Sequence, residues 1–153
     1  MAERLRRLLP AVWAGVLLCI AAMVATAAFE MLDRPDAGRV VGRIFVQEAW
    51  LSLMLAVLLL AMERARAKGL AEMGQGSVLS TEMLLVLGTV FCTVAGYFAL
   101  QPLMPAARAG QGPLSFGQLH LISTVFYGAK LVLVGMLAWR AARPGAISPA
   151  PSS

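Results

Sequence analysis

Three side chains in apolar surroundings could do chemistry: Glu48, His120 and Lys130. Glu48 lies near the end of the stretch "AGRVVGRIFVQEAW", which runs straight into "LSLMLAVLLLAM". A carboxylate, an imidazole and an amine held away from water can pass a proton among themselves, because each needs a neighbour to balance its charge. His120, Ser123, Thr124 and Tyr127 recur at the i, i+3, i+4, i+7 spacing of one helical stripe, and Lys130 follows Tyr127 by three. At 1.5 Å per residue, Glu48 falls in depth between His120 and Lys130, about 7 Å from either. A Glu48–Lys130 pair or a Glu48–His120 contact is therefore geometrically allowed. Such a cluster is either a polar clamp that fixes helix register or a proton or ion relay.

A lone charge near the bilayer centre costs roughly 2.5–3.5 kcal/mol on insertion scales. The strongly apolar residues between Ile44 and Leu60 return roughly 3–6 kcal/mol. The segment can insert with Glu48 in it, provided the carboxylate faces the bundle and finds a partner or a proton.

The elements that must position these groups are membrane spans. Of 153 residues, 59% are hydrophobic and 14% charged, which is far from a water-soluble balance. Four apolar runs, about 8–30, 44–62, 81–102 and 117–139, are each long enough to cross a bilayer. The expected fold is all-α, an integral membrane four-helix bundle over residues 1–140, with a disordered cytoplasmic tail at 141–153. The connectors "EMLDRPDAGR", "ERARAKGLAEMGQGSVLS" and "MPAARAGQGPLS" are rich in glycine, proline, serine and charge. Basic residues divide unevenly. Arg4, Arg6, Arg7, Arg64, Arg66, Lys68, Arg140 and Arg143 fall on one side, against Arg34, Arg39, Arg43 and Arg108 on the other. The positive-inside rule then puts both termini in the cytoplasm. The first run exceeds the h-region of a cleaved signal and reads as a retained helix, with cleavage after "ATA" as the alternative. Trp13, Trp50, Trp139 and Tyr97 lie near span ends, as aromatic belts do. The net charge of +5 flanks apolar runs, a pattern of topology and not of nucleic-acid binding.

Pro35 can open the second helix with Asp33 or Asp36 as its cap. Arg39 and Arg43, one turn apart, would then stand in the interface within reach of lipid phosphates. Gly38, Gly42, Phe45, Ala49, Ser52 and Ala56 make a narrow small-residue face, either a packing seam inside the bundle or a dimer face. In the third helix Thr89, Cys92, Thr93, Ala95 and Gly96 also suit close packing. Cys19, Cys92, Met23 and Met54 are deep sulfur groups of a kind that suits Cu(I), and equally are ordinary lipid-zone fillers. No phosphate loop, HExxH motif or nucleophile–base pair marks a catalytic site, and no cofactor or metal site is assigned. "GQGPLSFGQ" reads as a connector.

Three stretches resemble one family. These are "VWAGVLL" in the first helix, the Ala37–Phe45 pattern AG-x-x-x-G-x-x-F within "DRPDAGRVVGRIF", and LH-x-x-S from Leu119 to Ser123 within "FGQLHLIS". Together they resemble the transmembrane protein 205-like family, a domain of unknown function. The resemblance covers most of residues 8–140. It implies four helices, a bacterial inner-membrane location and no established enzymatic activity. Where this chain has "TVFYGAK", family members commonly carry an asparagine, so Tyr127 and Lys130 make its polar stripe atypical. The function expected is a non-enzymatic packing or interaction protein, with the lipid bilayer and a second copy or another membrane protein as partners. The alternative is handling of a small solute, a proton or a copper-type metal ion through Glu48, His120 and Lys130.

Overall fold

A computed structural model of the chain describes residues 2–74 and 79–143. Six α-helices form four rods. α1 (Ala2–Cys19) continues through a π-helical stretch, Ile20–Val24, into α2 (Ala25–Met31). α3 spans Arg34–Glu72. α4 (Thr81–Thr93) continues through a second π-helical stretch, Val94–Ala99, and a 3-10 turn, Gln101–Leu103, into α5 (Met104–Arg108). α6 spans Phe116–Ala142. Each rod is long and apolar enough to cross a membrane, and no strand occurs among the described residues. The fold is the all-α four-helix membrane bundle that the sequence predicts.

Local signals set the helix starts. The Asp33 side chain accepts a hydrogen bond from the Asp36 backbone N–H, and Pro35 fills the first turn of α3 where its missing N–H costs nothing. Ser80 caps α4 by accepting from the Met83 N–H at 3.2 Å. Ser115 and Gln118 form a reciprocal capping box at the start of α6, with bonds of 2.9 and 3.3 Å. The stretch read as a plain connector therefore contains a helix start.

Two boundaries differ from the sequence reading. The segment "ERARAKGLAE" is not a connector but the last turns of α3, which reaches Glu72. Ala, Glu, Arg and Lys are strong helix formers whatever their charge, and the Glu63–Arg66 and Lys68–Glu72 pairs sit at i, i+3 and i, i+4. Gly74, at φ +70°, takes the left-handed conformation just past the helix end. Ala141 and Ala142, placed in the tail by the sequence, belong to α6, and residues 144–153 lie outside the described residues.

α1 packs on α3 and α6, and α4 packs on the same two helices, so α3 and α6 stand diagonally across the bundle. Each rod gives two residues to the central apolar cluster: Trp13 and Leu17, Ala56 and Leu59, Leu85 and Val86, Val134 and Leu137. Met104, Ala107 and Leu119 close a smaller cluster towards the opposite end from the termini. The outer faces carry large apolar side chains on every rod, among them Leu18, Met54, Phe91 and Val132. Contiguous apolar exposure of this kind suits lipid.

Glycines let the rod that begins with α4 lie close against α6. A Cβ added at Gly96 would lie 2.4 Å from the Cβ of Phe126, and one at Gly88 would lie 3.0 Å from Leu133 Cδ1. With the buried Cys92 between them, Gly88 and Gly96 make a small-residue seam at four-residue spacing. Gly96→Ala must push α4 and α6 apart, since a Cβ cannot swing away as a side-chain tip can. We expect it to cost about 1–3 kcal/mol, read as an earlier thermal unfolding midpoint of the purified protein in detergent. Gly42→Ala, which meets nothing within 4 Å, should leave that midpoint unchanged.

Candidate functional site

The centre of the bundle holds a polar network that begins on α3. Its buried residues are Ala37, Val41, Glu48, Ala49, Ser52, Ala56, Leu59, Glu63 and Ala67. Ala37, Glu48 and Leu59 share an eleven-residue spacing, as do Val41, Ser52 and Glu63, which keeps one face inward along a nearly straight helix. That face aims Glu48 at the opposite helix, α6. Lys130 Nζ donates to Glu48 Oε1 at 2.7 Å, and the two residues are 3% and 4% exposed. Backbones facing along a diagonal are too far apart for small residues to meet. Two long side chains span the gap.

Further groups hold the pair in place. Ser52, one turn along α3, donates its hydroxyl to the same Glu48 oxygen. Trp13 of α1, fully buried, donates from Nε1 to Ser52 Oγ at 3.1 Å. The Lys130 ammonium lies 4.9 Å from the centre of the Tyr127 ring, a cation–π distance. Tyr127 in turn donates its hydroxyl to the Leu17 carbonyl at 2.8 Å, and Phe45 meets its ring edge-on at 5.2 Å. The network thus ties α1, α3 and α6 together. α4 contributes Thr89 and Thr93, both buried, whose hydroxyls return to the carbonyls of Val86 and Thr89 within their own helix. Tyr127 bonds just ahead of the first π-helical stretch, and its neighbour Phe126 packs on Gly96 in the second. Both departures from α-geometry therefore sit against one turn of α6.

The structure joins some of the predicted site residues and separates others. Glu48, Tyr127 and Lys130 converge. His120 does not: it is exposed, and its ring stacks on Phe116 at 5.9 Å, ten residues or about 15 Å along α6 from Lys130. Ser123 and Thr124 donate to the His120 carbonyl of their own helix at 2.9 and 2.8 Å. Ala49 and Ser52 are buried within the bundle. Gly38 and Gly42 lie on the same side of α3 as Ala49 but are only half-buried, and a Cβ added at either would meet nothing within 4 Å. Arg39 is exposed and bonded to Asp36 one turn back, and Arg43 is also exposed. Cys19, Met23 and Met54 face outward while Cys92 is buried, which separates the four sulfur groups.

Trp13 and Glu63 are the participants that sequence reasoning missed. Trp13 is a hydrogen-bond donor in the core, not an interfacial belt residue like the exposed Trp50 and Trp139. The signal was the apolar stripe Pro10, Trp13, Leu17 on α1, at helical spacing. Glu63, nearly fully buried, accepts from Arg6 Nη1 at 2.7 Å and ties the start of α1 to α3. At the same end Arg140 donates from Nε and Nη2 to Glu82 Oε1, tying α6 to α4.

This is a four-helix membrane bundle locked at its centre by one ion pair. The sequence model of the family described as Domain of unknown function (DUF4149) matches residues 8–112, more than two thirds of the chain, and the chain belongs to that family. No curated protein and no solved structure matches it. The matched segment includes Trp13, Glu48 and Ser52 and ends before α6, which supplies Lys130.

Removing one partner strands a charge in a water-poor interior, whereas removing both does not. We expect Lys130→Met to destabilise the bundle by about 3–5 kcal/mol. Glu48→Gln combined with Lys130→Met should recover much of that loss. Thermal unfolding of the two single variants and the double variant in one detergent measures the coupling directly.

Proposed function

We propose that this is a non-enzymatic bacterial inner-membrane protein, with both termini in the cytoplasm, that associates with a second copy or another membrane protein through the Gly38/Gly42 face of α3. The observation that carries this reading is the open space at both glycines: a Cβ at either meets nothing within 4 Å. A small-residue face without a neighbour in its own bundle is suited to close approach by a helix from outside. The cytoplasmic side follows from the basic residues gathered at the end where α1 starts and α6 finishes. The buried polar groups support a non-enzymatic role, because Glu48, Ser52, Lys130 and Trp13 satisfy one another. The resemblance to the transmembrane protein 205-like family points the same way. The rival, a proton, solute or metal-ion path through Glu48, His120 and Lys130, draws less support, because His120 stands apart from the pair.

Gly42→Leu tests the proposal, since a Cβ at this position meets nothing within 4 Å in the single chain. Chemical crosslinking in native membranes should show a discrete adduct for the unaltered protein and its loss in Gly42→Leu, with thermal stability retained. An undiminished adduct would remove the association role. Loss of ion flux in reconstituted Glu48→Gln, with the fold intact, would establish the rival instead.

A further inference from the structure

The end of the bundle that carries both described termini holds an excess of positive charge around a cavity of about 220 Å³. Five arginines line it, Arg6, Arg7, Arg66, Arg140 and Arg143, together with the carboxylates Glu3 and Glu82. Glu63, bonded to Arg6, is the third carboxylate of the group. Two positive charges are therefore left over. The donors are unevenly used. Arg6 spends Nε, Nη1 and Nη2 on Glu3 and Glu63. Arg7 spends only Nε, on Glu3, and Arg140 spends Nε and Nη2 on Glu82. Arg66 approaches Glu63 no closer than 3.7 Å, and Arg143 has no ion pair among the described residues. Fork-shaped donors with free N–H groups around a small cavity match the oxygens of a phosphate group.

An open groove on the surface of α6 adjoins the first cavity and favours a lipid over a free phosphate. It is lined by Gly135, Met136 and Trp139 of α6, and it shares Arg140 and Arg143 with the basic cavity. Gly135 leaves a notch in the helix surface, where an added Cβ would meet nothing within 4 Å, and Met136 and Trp139 are exposed beside it. An apolar groove on a lipid-facing helix that opens onto arginines has the two-part chemistry of a glycerophospholipid: an acyl chain along the groove, a phosphate among the guanidiniums.

We propose that this end of the bundle is a binding site for one anionic glycerophospholipid, with its phosphate held by Arg140, Arg143, Arg7 and Arg66 and an acyl chain against Gly135, Met136 and Trp139. The site rests on the placement of the bundle in a bilayer and is independent of association through Gly38 and Gly42. Arg140 has a double role, because its pairing with Glu82 fixes the guanidinium at the junction of headgroup and chain.

Trp139 reports occupancy. The full chain carrying Trp50→Phe leaves Trp139 as the exposed indole, since Trp13 is fully buried. It is reconstituted in phosphatidylcholine vesicles with a minor fraction of brominated phosphatidylglycerol, or the same fraction of brominated phosphatidylcholine. We expect clearly stronger quenching of Trp139 by the brominated phosphatidylglycerol. Arg143→Gln breaks no ion pair of the bundle and should weaken that preference roughly fivefold, the effect of one basic residue at an anionic surface. Arg140→Gln with Arg143→Gln should abolish it. Equal quenching by the two lipids would overturn the proposal. So would full loss of the preference on adding millimolar inorganic phosphate or glycerol phosphate, which would make this a site for free phosphate. An unchanged preference in the double variant would also overturn it, by placing the selectivity elsewhere.

Discussion

A carboxylate buried inside an apolar bundle cannot be left to itself, and the arrangement of this bundle follows from how Glu48 is satisfied. Its partner sits on the diagonally opposite helix, so the bond fixes the rotation of both α3 and α6 at once. The groups around the pair then have little freedom. Ser52 must face the same way as Glu48, because the two are one turn apart. Trp13 must enter the core to meet Ser52, and Tyr127 must turn toward α1 to cover Lys130. The Tyr127 hydroxyl needs an acceptor in this apolar setting, and it finds the Leu17 carbonyl just before a π-helical stretch.

The two ends of the rods answer to different constraints. At the end where α1 starts and α6 finishes, arginines of α1 and α6 pair with glutamates of α3 and α4, so each of these ion pairs joins two helices. The charged end therefore pins the helices in depth while the central pair pins them in rotation. Between these points the contacts are apolar or small. Gly88, Cys92 and Gly96 let α4 come close to α6, and that approach supplies dispersion contacts which apolar lipid on its own would not favour.

Much of this was legible in the residues. Composition and run length give the four rods, Asp33 and Pro35 give the start of α3, and counting 1.5 Å steps brings Glu48 near Lys130 in depth. What depth cannot give is azimuth. The same counting leaves His120 as close as Lys130, although the structure places it on the surface beside Phe116. A run of Gly and Ala at four-residue spacing likewise names a face without saying what it faces. Ala49 and Ser52 are buried in the bundle, while Gly38 and Gly42, towards the start of the same helix, are half-buried with open space beside them. Trp13 was hidden by a statistical habit: tryptophan near a span end is commonly interfacial, and only its partner Ser52 shows otherwise. The turns after Met62 were hidden by their charge, which reads as a loop even though the residue types favour helix.

An apolar pair of the same volume could fill the space between α3 and α6, and replacing a buried ion pair in that way is often neutral or stabilising. Stability alone therefore does not account for Glu48 and Lys130, and helix register is a second constraint that the pair bears on. If α3 turned by one residue, about 100°, an apolar side chain in place of Glu48 would meet lipid at almost no cost, because lipid and core are equally apolar to it. With Glu48 present, the same rotation exposes a carboxylate to hydrocarbon and leaves Lys130 buried without its counter-charge. In water the hydrophobic effect would penalise the rotated form. In lipid that penalty is missing, and a charge pair across the diagonal replaces it. The register it enforces keeps Gly96 against Phe126, so the close contact of the second π-helical stretch with α6 depends on a bond that does not touch it.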